Sequence, residues 1–142
     1  MIKDCKLGDD VKIPYPDLIN LYGCEIGANT FIGPFVEIQK GVKIGTDCKI
    51  ESHTFICEGV EIGNRVFVGH GVMFINDRSP EVYDETWEPE VTFVKDNASI
   101  GSNATIFPVS IGRSSFIGAG AVVVKDVGDF EKVVGNPAKV VL

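Results

Sequence analysis

An apolar residue recurs every six positions along much of this chain, and few folds can accommodate that spacing. Nine consecutive repeats carry it, at Ile26, Ile32, Ile38, Ile44, Ile50, Ile56, Ile62, Val68 and Phe74. Four positions after each of the first eight stands a small or β-branched residue. Glycine directly follows the apolar residue at 27, 33, 45, 63 and 69, where we expect it to supply the free φ angle of a tight corner. Each hexad therefore predicts one short strand and one corner.

This period excludes the common alternatives. In a helix, six residues at about 100° each would rotate the apolar position by roughly 240° per repeat and spread it around the cylinder. A β-meander has its turn signals at a wider spacing. Ile and Val together are more than three times as frequent as Leu and Ala together, a strand-rich composition. We therefore predict an all-β parallel β-helix, a single domain over residues 1–142, in which three hexads make one triangular coil of about 18 residues.

The same phase is predicted to continue on both sides of the nine repeats. Further sets start at Leu7, Ile13 and Ile19, at Val94, Ile100 and Ile106, and at Ile111, Ile117 and Val123. One extra residue precedes Ile26, and the repeat that begins at Ile106 is one residue short. This predicts about six coils, one long loop excursion over about 75–93 and a short C-terminal tail over 126–142.

Charge and hydropathy narrow the class of protein. Thirteen Lys and Arg stand against 20 Asp and Glu, a formal charge of −7, which disfavours binding to nucleic acid. The apolar stretches are about four residues long, whereas a membrane span needs roughly 20, so we expect a soluble cytoplasmic protein with no membrane partner. Four scattered cysteines, at 5, 24, 48 and 57, are interpreted as reduced thiols without a role in chemistry.

Several outward positions carry large apolar side chains. They are Phe31, Phe55, Phe67, Met73 and Phe116. A series of outward aromatic residues indicates a surface that another protein buries. We therefore predict that the chain forms oligomers.

The two histidines are predicted to lie close together. His53 and His70 belong to hexads that begin at Ile50 and Val68, three repeats and thus one coil apart. Both positions face outward, just before the strand that leads into the loop. A surface role and a role as proton acceptor both remain open for each of them.

The loop carries the other polar candidates. Asn76 and Asp77 follow the last apolar residues before it, where they could bind a substrate or cap the turn through their own backbone. Within the loop, Trp87 could stack on a base or pack against the β-helix. The surrounding acidic residues could attract a cation or form a solvated face.

On these hexads the chain resembles the left-handed parallel β-helix acyltransferases, the hexapeptide-repeat superfamily. The stretch from Ser52 to Asp77, followed by Pro80, is similar to N-acetyltransferases that act on nucleotide-linked 3-amino sugars for surface polysaccharides. The segments FIGAGAVVVKDV and VVGNPAK resemble the coenzyme A end of those enzymes. One departure is that Glu81, rather than the family's common Arg, follows the loop proline.

The resemblance implies a left-handed homotrimer with active sites between subunits. It implies acetyl-CoA as co-substrate, no metal, and a nucleotide-linked amino sugar as acceptor. The pantetheine arm would lie on the backbone of Gly118, Ala119 and Gly120. The adenosine end would lie near four further residues, Lys125, Pro137, Ala138 and Lys139. It also points to Asn76 and Asp77 at the acceptor, and it makes Asn76, His53 and His70 the catalytic candidates.

Two other functions of such a fold remain open for this chain, and the histidine count excludes a third. An O-acetyltransferase would depend more strongly on a histidine base, because it deprotonates a hydroxyl. A non-catalytic assembly module would not bind acetyl-CoA. A zinc carbonic anhydrase needs three histidine ligands per site, and this chain has two.

Overall fold

The computed structural model describes all residues, 1–142, and consists almost entirely of short strands. One 3-10 helix, Pro16–Leu18, is the only helical segment. The strands are β1 (Ile2–Lys3), β2 (Lys6–Leu7), β3 (Asn20–Tyr22), β4 (Glu25–Ile26), β5 (Phe31–Ile32), β6 (Glu37–Ile38), β7 (Lys43–Ile44), β8 (Lys49–Ile50), β9 (Phe55–Ile56), β10 (Val60–Ile62), β11 (Phe67–Val68), β12 (Met73–Phe74), β13 (Thr92–Val94), β14 (Ser99–Ile100), β15 (Thr105–Ile106), β16 (Ser110–Ile111), β17 (Phe116–Ile117), β18 (Val122–Val123), β19 (Lys132–Val134) and β20 (Lys139–Val140).

The strands form three parallel sheets that the chain visits in turn. Sheet A holds β1, β3, β6, β9, β12, β15 and β18; sheet B holds β2, β4, β7, β10, β13 and β16. Sheet C holds β5, β8, β11, β14, β17 and β19, and β20 adds to it antiparallel. Equivalent residues pair between neighbouring coils, as Ile26 does with Ile44 and Ile44 with Ile62. The predicted left-handed parallel β-helix is confirmed.

The apolar residue of each hexad points into the prism. All nine residues of the central series are at most 4% exposed and belong to one continuous core cluster of 31 residues. Threonine occupies the small position in some hexads, and its hydroxyl then has a hydrogen-bond partner. The hydroxyl of Thr30 donates to the Gly45 carbonyl at 2.8 Å, and that of Thr54 donates to the Gly69 carbonyl at 2.9 Å. A column of aliphatic side chains therefore holds the coils together.

The glycines that follow the apolar residue have a different role from the expected one. The left-handed residue of the corner is two positions further along, as at Asn29, Phe35 and His53, with φ between 61° and 64°. A Cβ on Gly27 would lie 2.5 Å from the Gly45 backbone. These glycines are therefore required by the close approach of the next coil, and the prediction that they supply a free φ was wrong.

Register corrects the assignment of the first coil. Leu21 pairs with Ile38, so Leu21 occupies the apolar position and Ile19 the small position two residues before it. The 3-10 helix lengthens the preceding corner, and the corner to Ile26 is correspondingly short. The prediction that placed Ile19 in the apolar series was therefore wrong. Ile19 and Leu21 are both apolar and both buried, so the sequence pattern does not distinguish them.

The two ends of the β-helix extend further than the hexad count suggests. β1 opens a coil before Leu7, and Val127 bridges to Ile111 at the other end. β19 then pairs in parallel with β17, so the chain leaves the stack after Val134 and not at residue 126. About seven coils result. The last coil is shorter than the central ones, since Ile117 pairs with Val133, and a six-residue pattern therefore misses it.

The predicted loop excursion is present and slightly shorter than expected. It runs from the end of β12 to β13, and Thr92–Val94 pairs with Val60–Ile62. Phe93 is therefore an outward strand residue, and the irregular segment covers 75–91. No helix in the chain is both long and apolar enough to cross a membrane.

Candidate functional site

One edge of the prism holds five of the twelve predicted site residues, His53, His70, Gly118, Ala119 and Gly120. We define the C–A edge as the corners that lead from sheet C to sheet A, residues 51–53, 69–71, 101–103 and 118–120. Backbone bonds connect them coil by coil: the Gly71 amide donates to the Ser52 carbonyl at 2.9 Å, that of Asn103 to His70 at 2.7 Å and that of Gly120 to Ser102 at 2.8 Å. His70 and the predicted coenzyme A backbone at 118–120 thus share one edge, two coils or about 10 Å apart.

The two histidines meet through a serine. Nδ1 of His70 lies 2.9 Å from Oγ of Ser52, and Nδ1 of His53 lies 3.1 Å from the same oxygen. Register explains this, because Ser52 and His70 occupy equivalent corner positions in successive coils. The prediction placed the histidines side by side; in the structure the Ser52 hydroxyl lies between them. Ser52 could have been identified in the sequence as the residue that occupies the position of His70 in the preceding coil.

A carboxylate completes this cluster. Oε2 of Glu51 lies 3.5 Å from Nε2 of His70, and its other oxygen lies 3.2 Å from the Lys49 ammonium. The Glu51 side chain is 13% exposed and that of His70 59%. The ring of His53 packs on Phe35 with centroids 4.9 Å apart. The cluster is therefore anchored on one side and open to solvent at the histidines.

Asn76 and Asp77 lie at a different edge. The loop leaves at the A–B edge, the corners that lead from sheet A to sheet B. The Asn76 amide nitrogen donates to the Glu58 carbonyl at 3.0 Å, and its backbone carbonyl accepts from Glu90. Asp77 accepts from the Ser79 amide at 2.9 Å, an Asx turn. In this chain the two side chains hold the base of the loop.

The base of the loop is held further by an arginine that the sequence interpretation missed. The guanidinium of Arg78 donates to the Pro108 carbonyl at 2.6 Å and lies 3.6 Å from the carboxylate of Glu90. Pro108 belongs to the shortened hexad that begins at Ile106. That corner therefore presents a carbonyl to the loop. Trp87, in the loop, is 40% exposed.

The remaining predicted coenzyme A residues lie beyond β18. Lys125 is exposed at the A–B edge. The Ala138 amide donates to the Val122 carbonyl at 2.8 Å, which places residues 137–139 over the end of sheet A, with Lys139 in β20. Lys125 thus lies at a different edge of the prism from Gly118–Gly120. Residues 137–139 cover the end of the prism at which Gly118–Gly120 lie.

Large apolar side chains lie on both faces that meet at the C–A edge. Sheet C carries Phe67 and Phe116 outward, 39% and 46% exposed, and sheet A carries Met73, 44% exposed. Phe31 and Phe55 are half-buried on the same two faces. A groove of about 590 Å³ lies instead on sheet B, where Lys43, Phe93 and Arg113 line it. It contains none of the predicted site residues.

The cysteines are free thiols. Cys24, Cys48 and Cys57 are buried, and burial raises the pKa of the Cys57 thiol to about 11. Sγ of Cys5 lies 3.4 Å from Sγ of Cys24. Burial raises the pKa of Cys24 to about 12, so its thiol is protonated at neutral pH. The chain has no group of three or more His, Cys, Asp or Glu side chains placed to hold a metal ion.

Comparison with known proteins identifies related sequences. Residues 23–58 match a family model described as bacterial transferase hexapeptide (six repeats), and residues 94–125 match the hexapeptide repeat of succinyl-transferase. The bifunctional protein GlmU of Thermotoga maritima is 32% identical over 99% of this chain and 33% of its own length. GlmU of Shouchella clausii is 36% identical over 74% of this chain and 21% of its own length. The chain thus spans about a third or less of these relatives.

Solved structures share the fold. A variant of AntD, an N-acyltransferase from Bacillus cereus, in complex with dTDP and coenzyme A superposes with a TM-score of 0.86 at 22% identity, over 96% of this chain and 81% of that one. A hexapeptide-repeat acetyltransferase from Vibrio cholerae in complex with acetyl coenzyme A gives a TM-score of 0.74 at 26% identity, over 89% and 72% of the two chains.

Proposed function

This chain belongs to the hexapeptide-repeat superfamily of bacterial transferases, and we propose that it transfers an acetyl group from acetyl-CoA to the amine of a nucleotide-linked amino sugar. The observation that carries the proposal is the C–A edge. This edge carries His53 and His70, and two coils from His70 it exposes the backbone of Ala119 and Gly120. A role in making surface polysaccharides and a cytoplasmic location are parts of the proposal.

The residues present fit coenzyme A along the C–A edge. Ala119 and Gly120 are exposed, and no atom lies within 4 Å of the position that a Cβ on Gly120 would take. A pantetheine chain can therefore approach this backbone closely. Pro137, Ala138 and Lys139 close the same end of the β-helix, where they would meet the adenosine. Lys125 would contact its phosphates from the neighbouring edge. When bound, acetyl-CoA supplies the activated acyl group.

The chain's own residues supply the proton chemistry. The attacking amine must be neutral and must lose a proton as its bond to the acyl carbon forms. Histidine can accept that proton near neutral pH, and His53 and His70 are the candidates. A corner amide that is not already bonded to the neighbouring coil, such as that of Ala119, would stabilise the developing oxyanion. No metal is part of this proposal.

The acceptor is proposed to bind between subunits of a homotrimer. Asn76 and Asp77 lie at the A–B edge, whereas the histidines lie at the C–A edge. Sheet A separates the two edges by roughly 13 Å, the length of about four extended residues. A site that uses both sets is therefore best completed by a second copy of the chain, whose Asn76, Asp77 and Trp87 would reach the histidines. The outward apolar residues beside the C–A edge support this arrangement.

Thiol release from acetyl-CoA tests the proposal. Purified protein is assayed with nucleotide-linked 3-amino and 4-amino sugars, serine and simple sugars. We expect turnover on amino sugars only, and a loss in the His53→Gln/His70→Gln double variant that Lys43→Gln, on sheet B, does not share. No turnover with any acceptor, combined with no binding of acetyl-CoA at millimolar concentration, would instead support a non-catalytic module.

An O-acetyltransferase is the second candidate. The series Glu51, His70, Ser52 and His53 favours it, because a histidine oriented through contacts that end at a carboxylate helps to deprotonate a hydroxyl. Turnover confined to serine or sugar hydroxyls in the same assay would establish this function and exclude N-transfer.

A further inference from the structure

The Ser52 hydroxyl allows only certain hydrogen positions on the two histidines. It carries one proton and lies within hydrogen-bond distance of Nδ1 of both rings, at 2.9 Å from His70 and 3.1 Å from His53. If Ser52 donates to one neutral ring, the other ring must donate to Ser52. The serine therefore links the tautomers of the two histidines.

Glu51 determines the direction of these hydrogen bonds. Its ionised carboxylate can only accept a hydrogen bond, and it lies 3.5 Å from Nε2 of His70. This contact favours a proton on Nε2 of His70, which leaves the lone pair on Nδ1. Ser52 then donates to His70 and accepts from Nδ1 of His53. His70 then has a hydrogen bond at Nδ1 and an electrostatic contact with Glu51 at Nε2.

His53 is left with its basic nitrogen free. Its Nε2 carries the lone pair and forms no hydrogen bond within the chain, and the ring of Phe35 packs against the imidazole at 4.9 Å. We propose, on the basis of the function proposed above, that His53 is the proton acceptor of the transfer, and that Ser52, His70 and Glu51 are positioning residues that hold it in the Nδ1-protonated tautomer.

The proposed step balances in protons and bonds. The amine nitrogen forms a bond to the thioester carbon and transfers one proton to Nε2 of His53, giving an imidazolium. As the carbon–sulfur bond breaks, the thiolate of coenzyme A takes that proton. The amide and free coenzyme A are the products, and His53 is neutral again. The Nδ1–H bond to Ser52 is kept throughout, so no ring rotation is needed.

Nuclear magnetic resonance of the imidazole nitrogens tests the tautomers without any substrate. The protein is labelled with ¹⁵N-histidine, and two-bond ¹⁵N–¹H correlations are recorded at a pH where both rings are neutral. His70→Gln assigns the two rings. We expect Nδ1–H on His53 and Nε2–H on His70. Nε2–H on His53 in the unaltered protein would overturn the proposal.

Two serine variants separate positioning from folding. We expect Ser52→Ala to move His53 toward the Nε2–H tautomer, and Ser52→Thr, which keeps the hydroxyl, to preserve the tautomer of the unaltered protein. Equal midpoints of thermal unfolding would show that both variants fold. A His53 tautomer that is the same in Ser52→Ala would contradict the role of Ser52.

Activity provides the second readout. We expect kcat to fall about 10² to 10⁴-fold in His53→Gln, the range typical of a lost general base. The losses in His70→Gln, Ser52→Ala and Glu51→Gln should be smaller, and Ser52→Thr should restore the rate. A larger loss in His70→Gln than in His53→Gln would overturn the assignment. If the unaltered protein acetylates no acceptor, the proposed function and the role of base both fail, whereas the tautomer measurement still decides the hydrogen-bond directions.

Discussion

Among single residues, glycine is favoured at two positions of each corner of this β-helix, for two different reasons. One position has a left-handed backbone, and the other lies very close to the next coil. The left-handed position in the corners that lead from sheet C to sheet A is filled in successive coils by Phe35, His53, Gly71 and Asn103, with φ between 61° and 65°. His53 is therefore left-handed because its corner requires that conformation, and His and Asn tolerate it better than β-branched residues do. Where glycine directly follows the apolar residue, as at Gly27, the next coil approaches too closely for a Cβ, whereas other coils accommodate a side chain at this position, as at Glu51.

Two glycine substitutions distinguish close approach of the next coil from the left-handed conformation. In Gly27→Ala the new Cβ would lie 2.5 Å from the backbone of the next coil, and the overpacking should cost about 2 to 3 kcal/mol. In Gly41→Ala, with a φ of 79° and no atom within 4 Å, only the left-handed conformation opposes the side chain, at about 1 kcal/mol. Urea unfolding of both variants measures the difference. A smaller loss in Gly27→Ala would contradict the close-approach explanation.

Among the elements, the loop over 75–91 is an excursion with an anchored base. Arg78 joins the loop to the carbonyl of Pro108, and Asn76 joins it to the corner at Glu58. The shortened hexad at 106–110 keeps the parallel register while it presents this carbonyl. Nothing in a six-residue pattern identifies Arg78, because its partner is a backbone atom in another coil.

Removal of Arg78 should loosen the loop without unfolding the β-helix. A charged hydrogen bond contributes about 1.5 to 3 kcal/mol, so Arg78→Ala should increase the open population of the loop by about tenfold or more. Limited proteolysis should then cleave within 80–90 correspondingly faster, with the same midpoint of thermal unfolding. Arg65→Ala, which breaks an exposed contact with Asp96 at another edge, is the control. Equal cleavage of both variants would exclude an anchoring role.

In the molecule as a whole, each coil contacts only its neighbours, and the two faces beside the C–A edge stay partly apolar. Phe67 and Phe116 on sheet C and Met73 on sheet A are all between 39% and 46% exposed. Sheet B carries one comparable outward side chain, Phe93, at 45%. This asymmetry is the basis for expecting contacts between copies at sheets A and C.

The proposed homotrimer predicts a molecular mass of three times 15.4 kDa, about 46 kDa, by light scattering. Phe116→Glu should weaken the assembly, because it places a charge in an apolar interface. Phe93→Glu changes an equally exposed phenylalanine on sheet B and should leave the mass unchanged. A mass of 15.4 kDa for the unaltered protein, or equal effects of both substitutions, would refute this arrangement.

The repeating architecture could be predicted from the residues alone, because each short strand points one side chain inward and so requires an apolar residue every six positions. The same period predicted the loop near residue 75 and brought His53 and His70 to one edge. The register of Leu21, the last coil at 127–134 and the contacts of Ser52, Glu51 and Arg78 emerged only from the folded chain. The reason is that alternative apolar residues satisfy the same period, whereas a hydrogen bond depends on which atoms the coils bring into contact.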